Sequence, residues 1–285
     1  MDDFLTEDFR QFIAPECDRK EYLEFWLRSF GIPFNEIHME GKTHIYVHFP
    51  SSQYNPQFRI KTVLVHYDRS EGTPGANDNS AAVYQVVKWA FRLMQRTRIH
   101  NIRIFFTDGE ECGSTAQVEN QGAFGIAQVY KRLGILNDDV YVFDCCGRGD
   151  TLILSTAGKW SRCSESFRKR FDDLYERATE IARRAAPSRW MQLPVPYSDN
   201  AGFLATGIPA VAITVLPSDE ATMYFKTIQR DSTIAKQAMA QHRNQVPMTW
   251  QFMHTEKDNA ESLTPEAFSI MERYLDILAD SVALN

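Results

Sequence analysis

Two adjacent carboxylates, Glu110 and Glu111, closely follow an apolar run from Ile102 to Thr107. On a loop leaving a buried strand they repel each other unless positive charge sits between or beside them. A metal ion would supply that charge, leaving one carboxylate as ligand and the other as base. Alone, the pair has a bland reading, because Glu-Glu is commonplace on a solvated loop. Its force comes from the ends of other apolar runs. Thr62-Val63-Leu64-Val65 ends in His66-Tyr67-Asp68, Val140-Tyr141-Val142-Phe143 ends in Asp144, and Trp250 to Met253 leads into His254-Thr255. Asp78 sits in Gly75-Ala76-Asn77-Asp78-Asn79, a turn that opens a long helix. Gathered on one edge of a sheet, so many charges are costly to bury unless they coordinate metal. Two histidines with three or four carboxylates form a mixed nitrogen and oxygen set that suits zinc, with cobalt or manganese as further candidates.

Each residue also has a bland reading. His66 alone reads as a satisfied structural histidine and Asp144 as a strand-end turn residue. Asp78 alone reads as a helix cap, with Asn79 competing for the role. These readings are independent of one another, whereas a single metal site explains them jointly. Asp68 is better placed to orient His66 than to bind metal, since ligating histidines need a hydrogen-bond partner behind them. His38, His44, His48, His100 and His242 fit no such pattern and read as surface or packing residues. Cys112 and Cys145-Cys146 lie beside the candidate site; with carboxylates already supplied there, we read them as packing.

The elements that must position these residues follow from periodicity. Residues 7–30 read as helix broken at Pro15, with Phe9, Phe12, Leu23, Trp26 and Leu27 at helical spacing. Extended segments are expected at His44–Phe49 and Phe58–His66, and strands at Ile102–Thr107, Val140–Asp144, Thr151–Ser155 and Ala210–Leu216. Amphipathic helices are expected at Asn79–Arg98, Gly122–Leu133 ended by Gly134, residues 164–185 and Pro265–Ala283, with residues 219–242 partly helical. Strands alternating with long helices predict an α/β fold whose mainly parallel or mixed sheet is covered on both faces. Such sheets bind ligands at the carboxyl ends of their strands. With no repeat, low-complexity segment or clear linker, residues 1–285 are expected to form a single domain. The segment Pro217–Val246 reads as an excursion near the site mouth.

Composition narrows the partners. The chain has 285 residues, is 44% hydrophobic and carries a net charge of -6. Its basic residues are dispersed, which argues against nucleic acid or an anionic membrane. No stretch approaches a membrane span. The five cysteines have no C-x-x-C spacing and read as reduced thiols. With no signal-like segment at Met1–Leu5, a cytoplasmic location is expected; a mature fragment of an exported protein would look the same. Oligomeric state is not legible.

The chain resembles the zinc aminopeptidases with co-catalytic metals, in the metallopeptidase family that also contains the glutaminyl cyclases. The matching segments are His66-Tyr67-Asp68, Pro74 to Asn79, Glu110-Glu111-Cys112-Gly113-Ser114, Phe143-Asp144, Ser198-Asp199-Asn200 with Phe203 and Gly207-Ile208-Pro209, and His254-Thr255 with Asp258. They occur in family order. The resemblance implies a mixed, largely parallel central sheet of about eight strands between helices, and one or two zinc ions. It implies that His66 and Asp144 bind one zinc, that Glu111 and His254 bind the other, and that Asp78 bridges both. Glu110 would be the general base and Asp68 would support His66. The departures are the Asn79-Ser80-Ala81-Ala82 turn, the polar stretch Thr115–Gln121, and Asn200 where a histidine is often found.

The resulting expectation is an aminopeptidase acting on short peptides. The first alternative is a glutaminyl cyclase, which in that group would use one zinc on the positions matching Asp78, Glu111 and His254. Glu110, Asp144 and Asp199 would then form a proton-handling network. Against the cyclase, Trp250 lies four residues before His254, where cyclases usually carry a tryptophan closer, and Met253 immediately precedes it. A non-catalytic binding protein on the same fold is a further reading. A carboxypeptidase-type relative would need a basic residue for the substrate carboxylate, from among Arg148, Arg162 and Arg230.

Overall fold

Strands and helices alternate along most of the chain, and the helices fall on both faces of one sheet. The computed structural model describes residues 4–112, 117–158, 163–239 and 246–285. Two N-terminal helices, α1 (Glu7–Phe12) and α2 (Arg19–Ser29), flank the break at Pro15. Thr6 and Asp18 cap them by accepting from the amides of Phe9 and Glu21. A hairpin, β1 (Phe34–Met39) and β2 (Lys42–Val47), leads to β3 (Lys61–His66), α3 (Ala81–Met94) and β4 (Ile102–Thr107). Next come α4 (Gly122–Leu133), β5 (Asp139–Phe143), β6 (Thr151–Ser155), α5 (Glu165–Ala185), β7 (Trp190–Leu193) and α6 (Asn200–Ala205). The chain continues through β8 (Ala210–Leu216), α7 (Ser218–Arg230), α8 (Thr233–Met239), α9 (Met248–Phe252) and α10 (Pro265–Asp280).

The eight strands form a mixed sheet in the order β1-β2-β4-β3-β5-β8-β6-β7. Its centre, β4-β3-β5-β8, is parallel. The β1–β2 hairpin joins antiparallel to β4, and β6 joins antiparallel to β8 with β7 parallel beside it. Side chains of the central strands alternate between two cores, as the pleat requires. Val63, Val65, Ile104, Phe106, Tyr141 and Phe143 pack with α3, α5 and α10. Leu64, Phe105, Val140 and Val142 pack on the other face with α4 and α6. Among the described residues, no helix is long and apolar enough to cross a membrane.

Several elements differ from expectation. Strands β1 and β7 have no counterpart in the periodicity, because both lie at sheet edges and expose much of their length. Residues 58–60 stay outside β3, with Phe58 making only an isolated bridge to Leu284. The run before His254 is a short helix, α9, rather than a strand. Asp78 does not cap α3: the N-cap position is Ser80, and Asp78 and Asn79 have non-helical dihedrals in the preceding turn. His242 lies outside the described residues.

Candidate metal centre and active site

The parallel register creates the site. Pairing of Val65 with Phe106 and His66 with Thr107 brings the loop after β4 beside the end of β3. Pairing of Leu64 with Val142 carries Asp144, just past β5, to the level of His66. Asp78 enters from the turn before α3. This turn is held by Asp258, whose carboxylate accepts from the amides of Asn77 at 2.7 Å and Asp78 at 3.1 Å. Asn79 donates to the Phe143 carbonyl at 2.8 Å, fastening the same turn to β5. His254 follows α9 in a left-handed conformation, φ 56°, an uncommon geometry for a side chain with a Cβ.

The side chains converge as two triads that share Asp78: His66, Asp78 and Asp144, and Asp78, Glu111 and His254. His66 Nε2 lies 3.3 Å from Asp78 Oδ1 and 3.6 Å from Asp144 Oδ1. His254 Nε2 lies 3.3 Å from Asp78 Oδ2 and 2.9 Å from Glu111 Oε2. Donors at about 2.1 Å around a tetrahedral zinc stand roughly 3.4 Å from one another, so these spacings suit ions seated between the side chains. Both nitrogens of His66, Asp78 Oδ2, Glu111 Oε1 and Asp144 Oδ1 are buried without a directed hydrogen bond. Such atoms are costly unless a ligand satisfies them. The donor set and its orphaned atoms therefore fit divalent zinc.

Around the triads, Asp68 Oδ1 stands 3.4 Å from His66 Nδ1, and Oδ2 accepts from the Glu111 amide at 2.9 Å. Glu110 is buried and accepts from Gln121 Nε2 at 3.2 Å. Burial holds the Glu110 carboxyl well above its ordinary range; His66 opposes the shift, and the charges of Glu111, Asp144 and Asp199 add to it. Asp199 is fully buried, with one oxygen on the Thr107 hydroxyl and the other unpartnered. Burial pushes its pKa up to about 7. Burial also disfavours a charged His66, but Asp144, Asp68 and Asp78 outweigh it and raise the imidazole well above its usual value. His254 is raised to about 10 by Asp78 and then Glu111.

The structure thus brings together every expected site residue: His66, Asp68, Asp78, Glu110, Glu111, Asp144, Asp199 and His254. Asn200 is buried, and its Oδ1 accepts from the Ser198 amide at 3.0 Å. Cys145 and Cys146 are buried, and burial pushes both thiols well up. Cys112 is exposed and its Sγ lies against the Gly109 and Asn120 carbonyls. His38, His44, His48 and His100 take no part in either triad. Gly113, Ser114 and Thr115 lie outside the described residues. Asp258 was marked by the resemblance but given no role there; its hold on the Asp78 turn, and the contact of Gln121 with Glu110, show only in the fold. Beside Asp144 lies a cavity walled by Val195, Pro196, Ala212, Ile213, Trp250 and Met253.

Comparison with known proteins bears on the fold and the family. The Legionella pneumophila LapA aminopeptidase superposes with a TM-score of 0.61 at 14% identity, covering 92% of this chain and 60% of that one. A zinc aminopeptidase of Bacillus subtilis superposes with a TM-score of 0.56 at 17% identity, covering 84% of this chain and 50% of that one. The chain thus spans only 60% and 50% of the length of these two aminopeptidases. Bacteroides thetaiotaomicron glutaminyl cyclase gives 0.63 at 16% identity, covering 96% and 94%. At such identities the likeness shows a shared fold. No curated protein matches the chain in sequence. The model of peptidase family M28 matches residues 47–277, and the chain belongs to that family.

Proposed function

We propose that this protein is a zinc-dependent aminopeptidase. The observation that carries the reading is the pair of triads sharing Asp78, with the buried carboxyl of Glu110 beside them. His66 and Asp144 would hold one zinc, Glu111 and His254 the other, and Asp78 both. Asp68 keeps His66 in place through its Nδ1. Zinc, when bound, supplies Lewis acidity that polarises a scissile carbonyl and makes water acidic near neutral pH. Glu110 then takes a proton from water and returns it to the leaving amine; burial raises its proton affinity above that of an ordinary carboxylate, which favours its taking up the proton.

Arg148 supports an aminopeptidase over a carboxypeptidase. Its guanidinium pairs with Glu220 at 2.6 Å and donates to Thr249, so it is committed to holding α9 against α7. Arg230 is exposed at the end of α7, and Arg162 lies outside the described residues. One observation favours a second reading, a glutaminyl cyclase: Asp199, near pH 7 in its titration, lies within electrostatic reach of Glu110 and suits a proton relay.

Metal analysis and two substrates separate the readings. Zinc per chain is measured by mass spectrometry, and the loaded protein is given aminoacyl-anilides and a peptide with N-terminal Gln. Two zincs with anilide release support the aminopeptidase. One zinc with ammonia release supports the cyclase. Neither activity in the zinc-loaded protein would sink both readings.

A further inference from the structure

The N-terminal helices reach under the site with a buried guanidinium. Arg19, the first residue of α2, is only 6% exposed. Its Nη1 donates to the carbonyls of Tyr67 at 3.2 Å and Asp68 at 3.1 Å. Its Nη2 donates to the carbonyls of Pro74 at 2.7 Å and Gly75 at 3.1 Å, and to Ser80 Oγ at 2.7 Å. Ser80 closes the loop by donating to the Gly75 carbonyl at 2.6 Å. One nitrogen therefore holds the loop that follows His66, and the other holds the turn that carries Asp78. Packing leaves no slack there. Gly75 has φ +57°, and a Cβ on it would sit 2.7 Å from the Asp78 carbonyl and 2.9 Å from Arg19 Nη2.

The contact is reciprocal. Arg69, on the site loop, donates back to the end of α1, to the carbonyls of Ile13 at 3.1 Å, Ala14 at 3.0 Å and Pro15 at 2.7 Å. The ring of Phe12 lies 5.2 Å from the Arg19 guanidinium. The N-terminal helices and the loops bearing Asp68 and Asp78 thus exchange arginines across one seam. The family match begins at residue 47, so Arg19 lies outside it.

We propose that Arg19 is a positioning residue of the metal centre. Its planar fork holds the Tyr67–Asp68 loop and the Pro74–Ser80 turn at one spacing, and so sets how far His66 stands from Asp78. Arg69 keeps the helices that carry Arg19 in register. A lysine cannot substitute, because a single ammonium cannot span two separated carbonyl pairs. This inference rests on the zinc reading above.

The test uses the full chain, R19K and R19M, with two measurements. Zinc affinity is read by competition with a chromophoric chelator. Amide hydrogen exchange over residues 67–80 is read in the zinc-free protein. Both variants should bind zinc about 10–100-fold more weakly, the usual range for residues that orient ligands, and the Asn77 and Asp78 amides should exchange faster. A folded R19K with wild-type zinc affinity overturns the proposal, even if its melting temperature falls. If R19M does not fold, R19K decides. If the wild type binds no zinc, the metal reading fails, and exchange in R19K alone decides the clamp: faster exchange supports it and unchanged exchange overturns it.

Discussion

The two ends of the central parallel strands treat charge in opposite ways. At their amino ends, Lys61 Nζ donates to the Leu278 carbonyl at 2.9 Å, the Ala279 carbonyl at 3.2 Å and the Ser281 carbonyl, closing the end of α10. Arg103 donates to Asp138 and to the Tyr130 hydroxyl at 2.8 Å each, and Thr62 donates to Asp138 at 2.8 Å. Arg177 grips Asp139 with two bonds of 2.7 Å. At the carboxyl ends, the same strands carry His66, Asp144 and the loop of Glu110 and Glu111, where both His66 nitrogens and several carboxylate oxygens lack directed partners. Buried charge that is fully paired serves the fold. Carboxylates gathered with orphaned oxygens await a cation, and such perturbed clusters mark functional sites.

Breaking the unpaired end should cost function rather than folding. The largest effect is expected for Glu110→Gln, with kcat for the activity found reduced by about 10²–10⁴-fold and zinc content unchanged by mass spectrometry. Turnover at the wild-type rate would remove Glu110 as base. His254→Ala should follow, weakening zinc by more than the roughly 10–100-fold typical of an orienting residue. Wild-type zinc content at limiting metal would strike it from the ligand set.

Breaking the paired end should do the reverse. Lys61→Met leaves the last carbonyls of α10 unsatisfied. It should cost about 3 kcal/mol in a urea titration while zinc affinity stays put; a large loss of affinity would erase the distinction between the ends. The smallest effect concerns His100, whose Nε2 bonds Gln53 Oε1 and whose Nδ1 accepts from the Ile102 amide, each at 3.0 Å. Burial, then the charges of Lys61 and Arg96, lower its pKa from 6.5 to about 4. A base whose folded pKa is depressed binds its proton more readily when unfolded. Its contribution is therefore present above pH 6.5 and is lost as pH falls toward 4, reaching about 2 kcal/mol by pH 5. Stability curves of His100→Gln should be flatter in that window; an unchanged slope would show that other groups drive acid unfolding.

Much of this contrast was legible beforehand, and unevenly. Buried strands such as Ile102–Thr107, Thr151–Ser155 and Ala210–Leu216 announce themselves as apolar runs, because a strand covered on both faces needs no polar alternation. The edge strands β1 and β7 do not, since half-exposed positions accept any residue. The sequence marks His66 and Asp144 at the carboxyl ends of their strands. Lys61 and Asp139, at the amino ends, carry no such mark, and their pairing shows only once their partners are seen.

By itself, the sequence determined the apolar periodicities that dictate an α/β sheet, and the ordered segments from His66 to His254 that resemble a zinc peptidase. Both are local properties, set by the spacing of side chains along one strand, helix or loop. Tertiary structure decided between the two readings of Asp78, setting it between both histidines rather than at the cap of α3. It also decided that Asp258 locks the Asp78 turn, that Arg148 is spent on Glu220, and that Arg19 bonds loops dozens of residues away. The reason is physical: a hydrogen bond or ion pair depends on where two groups meet in space, and distant residues meet only once the sheet has brought their loops to one edge.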